Sequence, residues 1–219
     1  MRSRLFACLA LVLAAPAAAQ LMLPEDMVWL DAIPAKVTAS GRSHLYRDSE
    51  SAGCPAPKAA CRSRAYLLPG DIVLLGKARG GMVEVRFANG DRESRGWLPR
   101  SSVAAIPAIA PSLAGWRGHW VRDDEAEIDI AAGKTRGSLA FTGDALWNSH
   151  DPEAIKRGSV HVGQIDTMGK PVNGRVALVD FDGDCRIAAG RIGPYLVVAD
   201  NYRCGGANVT FSGVYRRRN

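Results

Sequence analysis

Short segments of alternating apolar and polar residues, separated by glycines and prolines, run through most of this 219-residue chain. Alternation with period two places every second side chain on one face of a strand, and no long window keeps a helical period. In the first half the pattern predicts strands at residues 35–39, 44–47, 72–77, 82–88 and 94–98. In the second half it predicts strands at residues 118–121, 127–131, 138–142, 145–148, 160–166, 174–182, 186–189, 195–199 and 208–215. Many short antiparallel strands joined by turns predict an all-β protein.

A run of small residues bracketed by prolines interrupts this pattern near the middle of the chain. Residues 104–111 read Ala-Ala-Ile-Pro-Ala-Ile-Ala-Pro, a composition typical of a linker. We therefore expect a first small barrel at residues 30–104, a linker at 105–112 and a second small antiparallel barrel or sandwich at 113–219. Proteases should cut the linker first, because it buries little and exposes its backbone.

The first nineteen residues have the pattern of a secretory signal peptide. Arg2 and Arg4 supply a positive start, residues 5–13 are apolar, and three alanines end at Ala19. The apolar run is too short to cross a membrane, which takes ~20 residues. We expect cleavage near Ala19 and a soluble periplasmic or secreted protein, without Cys8 and without a membrane span.

Four cysteines remain after this cleavage, and export makes disulfides the expected state. Four cysteines allow three pairings, and proximity along the chain favours Cys54 with Cys61 and Cys185 with Cys204. Such bonds would stabilise the fold by about 2.5 and 3 kcal/mol, from their loop lengths. A zinc site of four cysteines is the alternative, but neither pair has the C-x-x-C spacing.

The formal net charge of +6 includes Arg2 and Arg4, so the exported protein is modestly basic. Part of the excess lies in the first half, and part in the three arginines at 216–218. Outside the cytoplasm a basic surface meets anionic glycans and wall polymers before nucleic acid. We therefore expect a cell-wall polymer or an envelope protein as the partner, although most of these arginines could simply be solvated charge.

The first half resembles the bacterial SH3 family between residues 37 and 103. A strand opening with Pro69-Gly70-Asp71, a hairpin carrying Val83-Glu84-Val85 and a closing strand with Gly96-Trp97 carry the resemblance. It implies a small barrel that binds cell-wall peptides or partner proteins. The chain departs from the family in an insertion at residues 48–64, which a disulfide between Cys54 and Cys61 would pin.

The second half loosely resembles small exported β-barrel domains of the lipocalin-like or lysozyme-inhibitor-like kind. It opens with a W-x-G-x-W pattern at residues 116–120 and ends with C-G-G-x-N-V-x-F-x-G-x-Y at residues 204–215. The resemblance implies a barrel closed by its last strand, and it assigns no activity.

Two sets of residues are candidates for binding. The first is a cationic rim, since three arginines flank the Gly96-Trp97 pair: Arg92, Arg95 and Arg100. The second is an aromatic wall for a sugar or acyl ligand, made of Trp116, Trp120, Trp147 and Tyr195 with Tyr202. The alternative is that Trp97 and most of the other tryptophans fill the barrel cores.

No motif identifies a catalytic or metal site. Asp180, Asp182 and Asp184 alternate as calcium ligands do, but Gly183 precedes the third carboxylate and no glutamate follows at the twelfth position. A turn with solvated carboxylates is the better interpretation. The four histidines are scattered, and no G-x-S-x-G or H-E-x-x-H occurs. We therefore expect a non-catalytic envelope binding protein without metal or cofactor. The alternatives are an inhibitor of a wall-degrading enzyme and an enzyme with a hidden site.

Overall fold

The computed structural model describes residues 24–89, 92–107, 109, 111–180 and 182–218. Two antiparallel sheets contain its strands, and the helices are single turns at Pro24–Met27 (α1), Leu113–Trp116 (α2) and Pro152–Lys156 (α3) with short 3-10 segments. The all-β prediction is confirmed. The predicted signal peptide lies outside the described residues.

The first sheet has seven strands in the order β3-β2-β6-β5-β4-β1-β7. Its strands are β1 (Ile33–Val37), β2 (Ser43–Tyr46), β3 (Arg62–Leu67), β4 (Ile72–Arg79), β5 (Met82–Asn89), β6 (Arg92–Pro99) and β7 (Val103–Ala105). The hairpin between β4 and β5 turns through Gly80 and Gly81, which both have positive φ. Inward-facing residues, among them Val73, Val85 and Leu98, form the core of this first barrel.

Two features of the first barrel differ from the sequence-based prediction. Strand β3 was not predicted, because its residues were assigned in part to the insertion loop. Strand β7 takes the residues where the linker was expected to begin, since Ala105 pairs with Ala35 and the Ile106 N–H donates to the Pro34 carbonyl at 2.9 Å. The chain therefore leaves the sheet about two residues later than expected.

The insertion is held to the first barrel at two points. A disulfide joins Cys54 to Cys61, as predicted. From β4, Arg79 donates to the Asp48 carboxylate and, at 3.2 Å, to the Cys54 carbonyl. The Arg79 guanidinium also lies 5.0 Å from the Trp97 ring centroid, so it covers the buried tryptophan while it fixes the loop.

The second sheet has eight strands in the order β11-β10-β9-β8-β15-β14-β13-β12. They are β8 (Gly118–Asp123), β9 (Ala126–Ala132), β10 (Leu139–Trp147), β11 (His161–Gly169), β12 (Arg175–Val179), β13 (Arg186–Ile192), β14 (Tyr195–Asp200) and β15 (Gly213–Arg218). Pairing of β15 with β8 curves the sheet into a nearly closed barrel. Strands β11 and β12 complete the ring without a backbone ladder, and the Thr167 hydroxyl donates to the Val179 carbonyl at 2.7 Å between them.

Four predicted strands of the second barrel differ from the observed ones. The segments predicted at 138–142 and 145–148 form one strand, β10, because Gly143 between them pairs with both β9 and β11. The neighbouring backbone approaches so closely that a Cβ on residue 143 would lie 2.6 Å from the Glu127 carbonyl oxygen. The strand predicted at 174–182 ends at Val179, where a turn begins. The strand predicted at 208–215 starts only at Gly213, because the preceding backbone bonds to the Asp200 carboxylate.

The interior of the second barrel is filled by side chains. Trp116, Trp120, Phe141, Phe211 and Tyr215 are fully buried in one cluster with aliphatic residues of strands β9 to β14. The Trp120 indole N–H donates to the Trp116 carbonyl at 2.8 Å, and the Tyr215 hydroxyl donates to the Phe211 carbonyl at 2.7 Å. The polar atoms of these rings are therefore satisfied inside the core. The predicted disulfide between Cys185 and Cys204 is also present.

A third cluster joins the two barrels. Trp29 and Leu30, from the 3-10 turn Val28–Asp31 after α1, pack with residues of β4 and β5 in the first barrel and of β13, β14 and β15 in the second. The Tyr195 hydroxyl donates across this junction to the Ile72 carbonyl. Burial raises the pKa of Tyr195 to about 12, so the hydroxyl keeps its proton at neutral pH. Whether each half also folds alone stays a prediction.

Candidate functional site

The candidate site is a cleft of about 570 Å³ between the two barrels, which we call the inter-barrel cleft. It is lined by residues of α1, of β6 in the first barrel, and of β8 and the segment before β15 in the second: Asp26, Arg92, Glu93, Arg95, Arg122, Asp123, Tyr202, Thr210 and Ser212. It contains two of the arginines predicted to bind, and its volume lies in the range of small-ligand pockets.

Arg122 lines the cleft with a guanidinium that hydrogen bonds within the protein hold in place. Its side chain is only 11% exposed. The Nε–H donates to Asp123 at 2.8 Å, and Nη1 donates to the carbonyl oxygens of Thr210 at 2.7 Å and Ser212 at 3.1 Å. Burial lowers the pKa of Arg122, but electrostatic interactions with Tyr215 and Asp123 and the Asp123 hydrogen bond outweigh this effect, so the pKa of Arg122 is raised. The guanidinium is thus a fixed positive charge.

A buried carboxylate positions the chain segment that lies beside Arg122 in the cleft. Asp200 is completely buried and accepts hydrogen bonds from the Phe211 N–H at 2.7 Å, the Thr210 hydroxyl at 2.9 Å and the Ser212 hydroxyl at 3.0 Å. It also accepts from the Tyr202 N–H at 3.3 Å. The carboxylate therefore holds in place the segment that contributes Tyr202, Thr210 and Ser212 to the cleft.

The first barrel supplies the other arginines. The Arg95 Nε–H donates to Glu93 at 2.6 Å, and the side chain of Arg95 is 57% exposed. Glu93 also lies 3.3 Å from the Nε of Arg86, a buried residue whose guanidinium stacks on Trp29 at 4.4 Å. Burial lowers the pKa of Arg86, and the charge of Glu93 offsets part of this effect. The side chain of Arg92 is exposed and forms no ion pair or hydrogen bond with a residue that the structure describes.

Asp26 brings a carboxylate to the same cleft from the N-terminal side. Its Oδ2 accepts a hydrogen bond from the Tyr202 hydroxyl at 3.0 Å. Burial, with this bond and the Asp26 charge, raises the pKa of Tyr202, so the phenol stays neutral and donates. The cleft therefore presents basic and acidic groups side by side, and it can hold an anionic group at the arginines that keep free N–H donors.

The structure divides the predicted cationic rim. Arg92 and Arg95 line the cleft, but Arg100 follows the far end of β6, where its N–H donates to the Gly81 carbonyl. Eight residues of extended strand span about 26 Å, so Arg92 and Arg100 cannot contact one small ligand together. Trp97 lies between them and is only 2% exposed, which agrees with its interpretation as a core residue.

The predicted aromatic wall is not assembled. Trp116, Trp120 and Tyr195 are completely buried, so no ligand reaches them in this conformation. Trp147 is half-buried at the end of β10, and its ring centroid lies 5.2 Å from that of His161. Tyr202, the other aromatic residue considered, is 42% exposed and lines the inter-barrel cleft. The tryptophans serve mainly as core, because their large apolar surfaces fill the second barrel.

The acidic residues singled out in the sequence lie in turns. Asp180 closes the turn before β13, where its carbonyl accepts from the Gly183 N–H at 3.2 Å and its carboxylate accepts from the Cys185 N–H at 3.2 Å. Asp182 is exposed, and Gly183 has a φ of 79°. Within the described ranges, no group of three His, Cys, Asp or Glu side chains is placed to hold a metal ion.

Searches against protein-family models, curated proteins and solved structures find no match to this chain. In the part of the chain that the structure describes, no helix has the length and apolarity needed to cross a membrane.

The sequence predicted only part of the cleft. Arg92 and Arg95 stood out by their charge beside a strand, but no local pattern indicated that Arg122, Asp26 and Asp200 would lie near β6.

Proposed function

We propose that this chain is an exported, non-catalytic binding protein of the cell envelope. The observation that carries the proposal is the convergence of Arg92, Arg95 and Arg122, from two different barrels, on one open cleft. The two disulfides agree with folding in an oxidising compartment. The ligand is cell-wall material or an envelope protein that presents anionic groups.

Binding at the surface is favoured because the interior of the second barrel is occupied by its own side chains. Catalysis has less support among the described histidines. His119 contacts Asp129 and Glu127, His150 contacts Asp124, and His161 contacts the Ala207 carbonyl. None of these contacts pairs a histidine with a serine or cysteine, the arrangement by which a histidine activates such a nucleophile. The resemblance of the first barrel to the bacterial SH3 family also favours binding.

Retention on isolated cell-wall material tests the proposal. The double variant Arg92→Gln/Arg95→Gln should lose most of its retention, and the matched variant Arg100→Gln should keep it. Retention of the wild-type protein should fall as salt rises, because screening acts over ~10 Å at 0.1 M. Failure of the wild-type protein to bind the wall at low salt would contradict the proposal. Recovery of the wild-type protein in complex with a wall hydrolase would instead support the inhibitor alternative.

A further inference from the structure

We propose that the inter-barrel cleft binds a zwitterionic peptide group, with the peptide carboxylate at Arg92 and Arg122 and its ammonium group at Asp26. This inference rests on the proposed binding function, and it names the chemistry of the ligand. It follows from which polar groups of the cleft are already paired and which are left for a ligand.

The carboxylate position is defined by the donors that remain on the arginines. Arg122 uses Nε and Nη1 within the protein, whereas its Nη2 donates to no described residue. A guanidinium held by three internal hydrogen bonds loses little side-chain entropy when it binds an anion. Arg92, exposed at the start of β6, can add a second charge-assisted hydrogen bond from the opposite barrel.

The ammonium position is defined by Asp26. One oxygen of its carboxylate accepts from Tyr202, and Oδ1 accepts no hydrogen bond from a described residue. Tyr202 fixes this carboxylate at the edge of the cleft that contains the arginines. Arg95 is paired with Glu93 and Arg122 with Asp123, whereas no basic side chain that the structure describes lies within ion-pair distance of Asp26.

The balance of charges argues against a uniformly anionic polymer as the ligand. Among the described residues, three arginines and three carboxylates line the cleft: Arg92, Arg95, Arg122, Asp26, Glu93 and Asp123. A polyanion that reached the arginines would bring like charges against the carboxylates, within the ~10 Å over which salt screens charges poorly. A group with one carboxylate and one ammonium pairs with both kinds of residue, as electrostatic complementarity requires.

The test uses three forms of the dipeptide Ala-Lys: with both termini free, with the C-terminus amidated, and with both amines acetylated. Titration of the full-length exported protein up to about 10 mM peptide, followed by NMR chemical shifts, covers millimolar affinities. The free peptide should bind saturably. Amidation or acetylation should each weaken binding about tenfold, the size of one charge-assisted interaction.

Two variants test which residue of the cleft binds which end of the peptide. Arg92→Gln should weaken the free peptide and leave the amidated form unaffected, and Asp26→Asn should weaken the free peptide and leave the acetylated form unaffected. Arg100→Gln and Asp182→Asn, which carry matched changes outside the cleft, should bind as the wild-type protein does.

The outcomes separate this inference from the proposed function. Wall retention without saturable peptide binding, equal binding of all three peptides, or tighter binding of poly-glutamate than of the free peptide would overturn the zwitterionic ligand. The first of these would leave the envelope-binding proposal standing. Saturable peptide binding without wall retention would support the ligand chemistry and overturn the wall as its source.

Discussion

Replacement of Asp200 by asparagine should destabilise the protein strongly. The carboxylate is completely buried and accepts hydrogen bonds from two N–H groups and two hydroxyls. An asparagine keeps one oxygen, which can continue to accept from Thr210, Ser212 and Tyr202. Its amide nitrogen must then face the Phe211 N–H, and two donors cannot bond to each other.

The magnitude follows from this count. Two buried donors, the new amide and the Phe211 N–H, are left without acceptors, and each costs about 1–3 kcal/mol. The free energy of unfolding should therefore fall by about 4 kcal/mol, which lowers Tm by roughly 8–16 °C for a chain of this length. The same loss should loosen the segment that holds Arg122, so peptide binding in the cleft should weaken too.

Thermal melting and urea unfolding of Asp200→Asn measure this effect against Asp182→Asn. Asp182 is exposed in its turn, so the same chemical change there should alter stability by no more than about 0.5 kcal/mol. If the free energy of unfolding of Asp200→Asn falls by less than about 1 kcal/mol, the prediction is refuted, because the carboxylate then does not hold the segment before β15 in place.

Three further predictions concern the junction, the disulfides and alkaline pH. Trp29→Ala should lower the free energy of unfolding by about 3–5 kcal/mol, as measured by urea unfolding, because Trp29 is 3% exposed between the barrels; a loss below about 1 kcal/mol would contradict the shared cluster. Cys185→Ala/Cys204→Ala should cost about 3 kcal/mol and Cys54→Ala/Cys61→Ala about 2.5, because the first pair closes the longer loop; the reverse order in urea would count against chain entropy as the main cause. The pKa of Tyr195 is raised to about 12 in the folded state, against ~10 when unfolded, so its stabilising contribution is complete below pH 10 and is lost between pH 10 and 12. Tyr195→Phe should therefore make the free energy of unfolding fall less steeply between pH 10 and 12. Burial lowers the pKa of Arg191 to about 10, which raises stability over the same window, but it does so equally in both proteins. An unchanged slope in Tyr195→Phe would contradict the assignment of this loss to Tyr195.

Much of the strand content could be predicted because alternation is a local property. Residues 72–77 and 82–88, for example, lie within β4 and β5. The errors occurred where distant groups overrode the local pattern. Thr142-Gly143-Asp144 has the composition of a turn, yet β9 and β11 pair with it on both sides. Residues 208–212 alternate like a strand, but the Phe211 N–H and the hydroxyls of Thr210 and Ser212 donate to the buried Asp200 carboxylate instead.

The candidate site was predicted in part. Arg92 and Arg95 stood out because charges beside a strand are visible in one sequence, but their grouping with Arg100 ignored the length of β6. The tryptophans were open to two interpretations, since the identity of an aromatic residue does not say whether its ring faces a core or a ligand. Burial decides for Trp97, Trp116 and Trp120 in favour of the core.

Local sequence was sufficient for the all-β class and for the two cysteine pairs, because both depend on residues that are near one another along the chain. Only the tertiary structure decided that the barrels pack against each other through Trp29 and Tyr195, and that a cleft opens beside this junction. The physical reason is that alternation determines which face of a strand is apolar, whereas the partner that covers this face depends on all the other strands. Arg122 joins Arg92 in one cleft only after both barrels have folded.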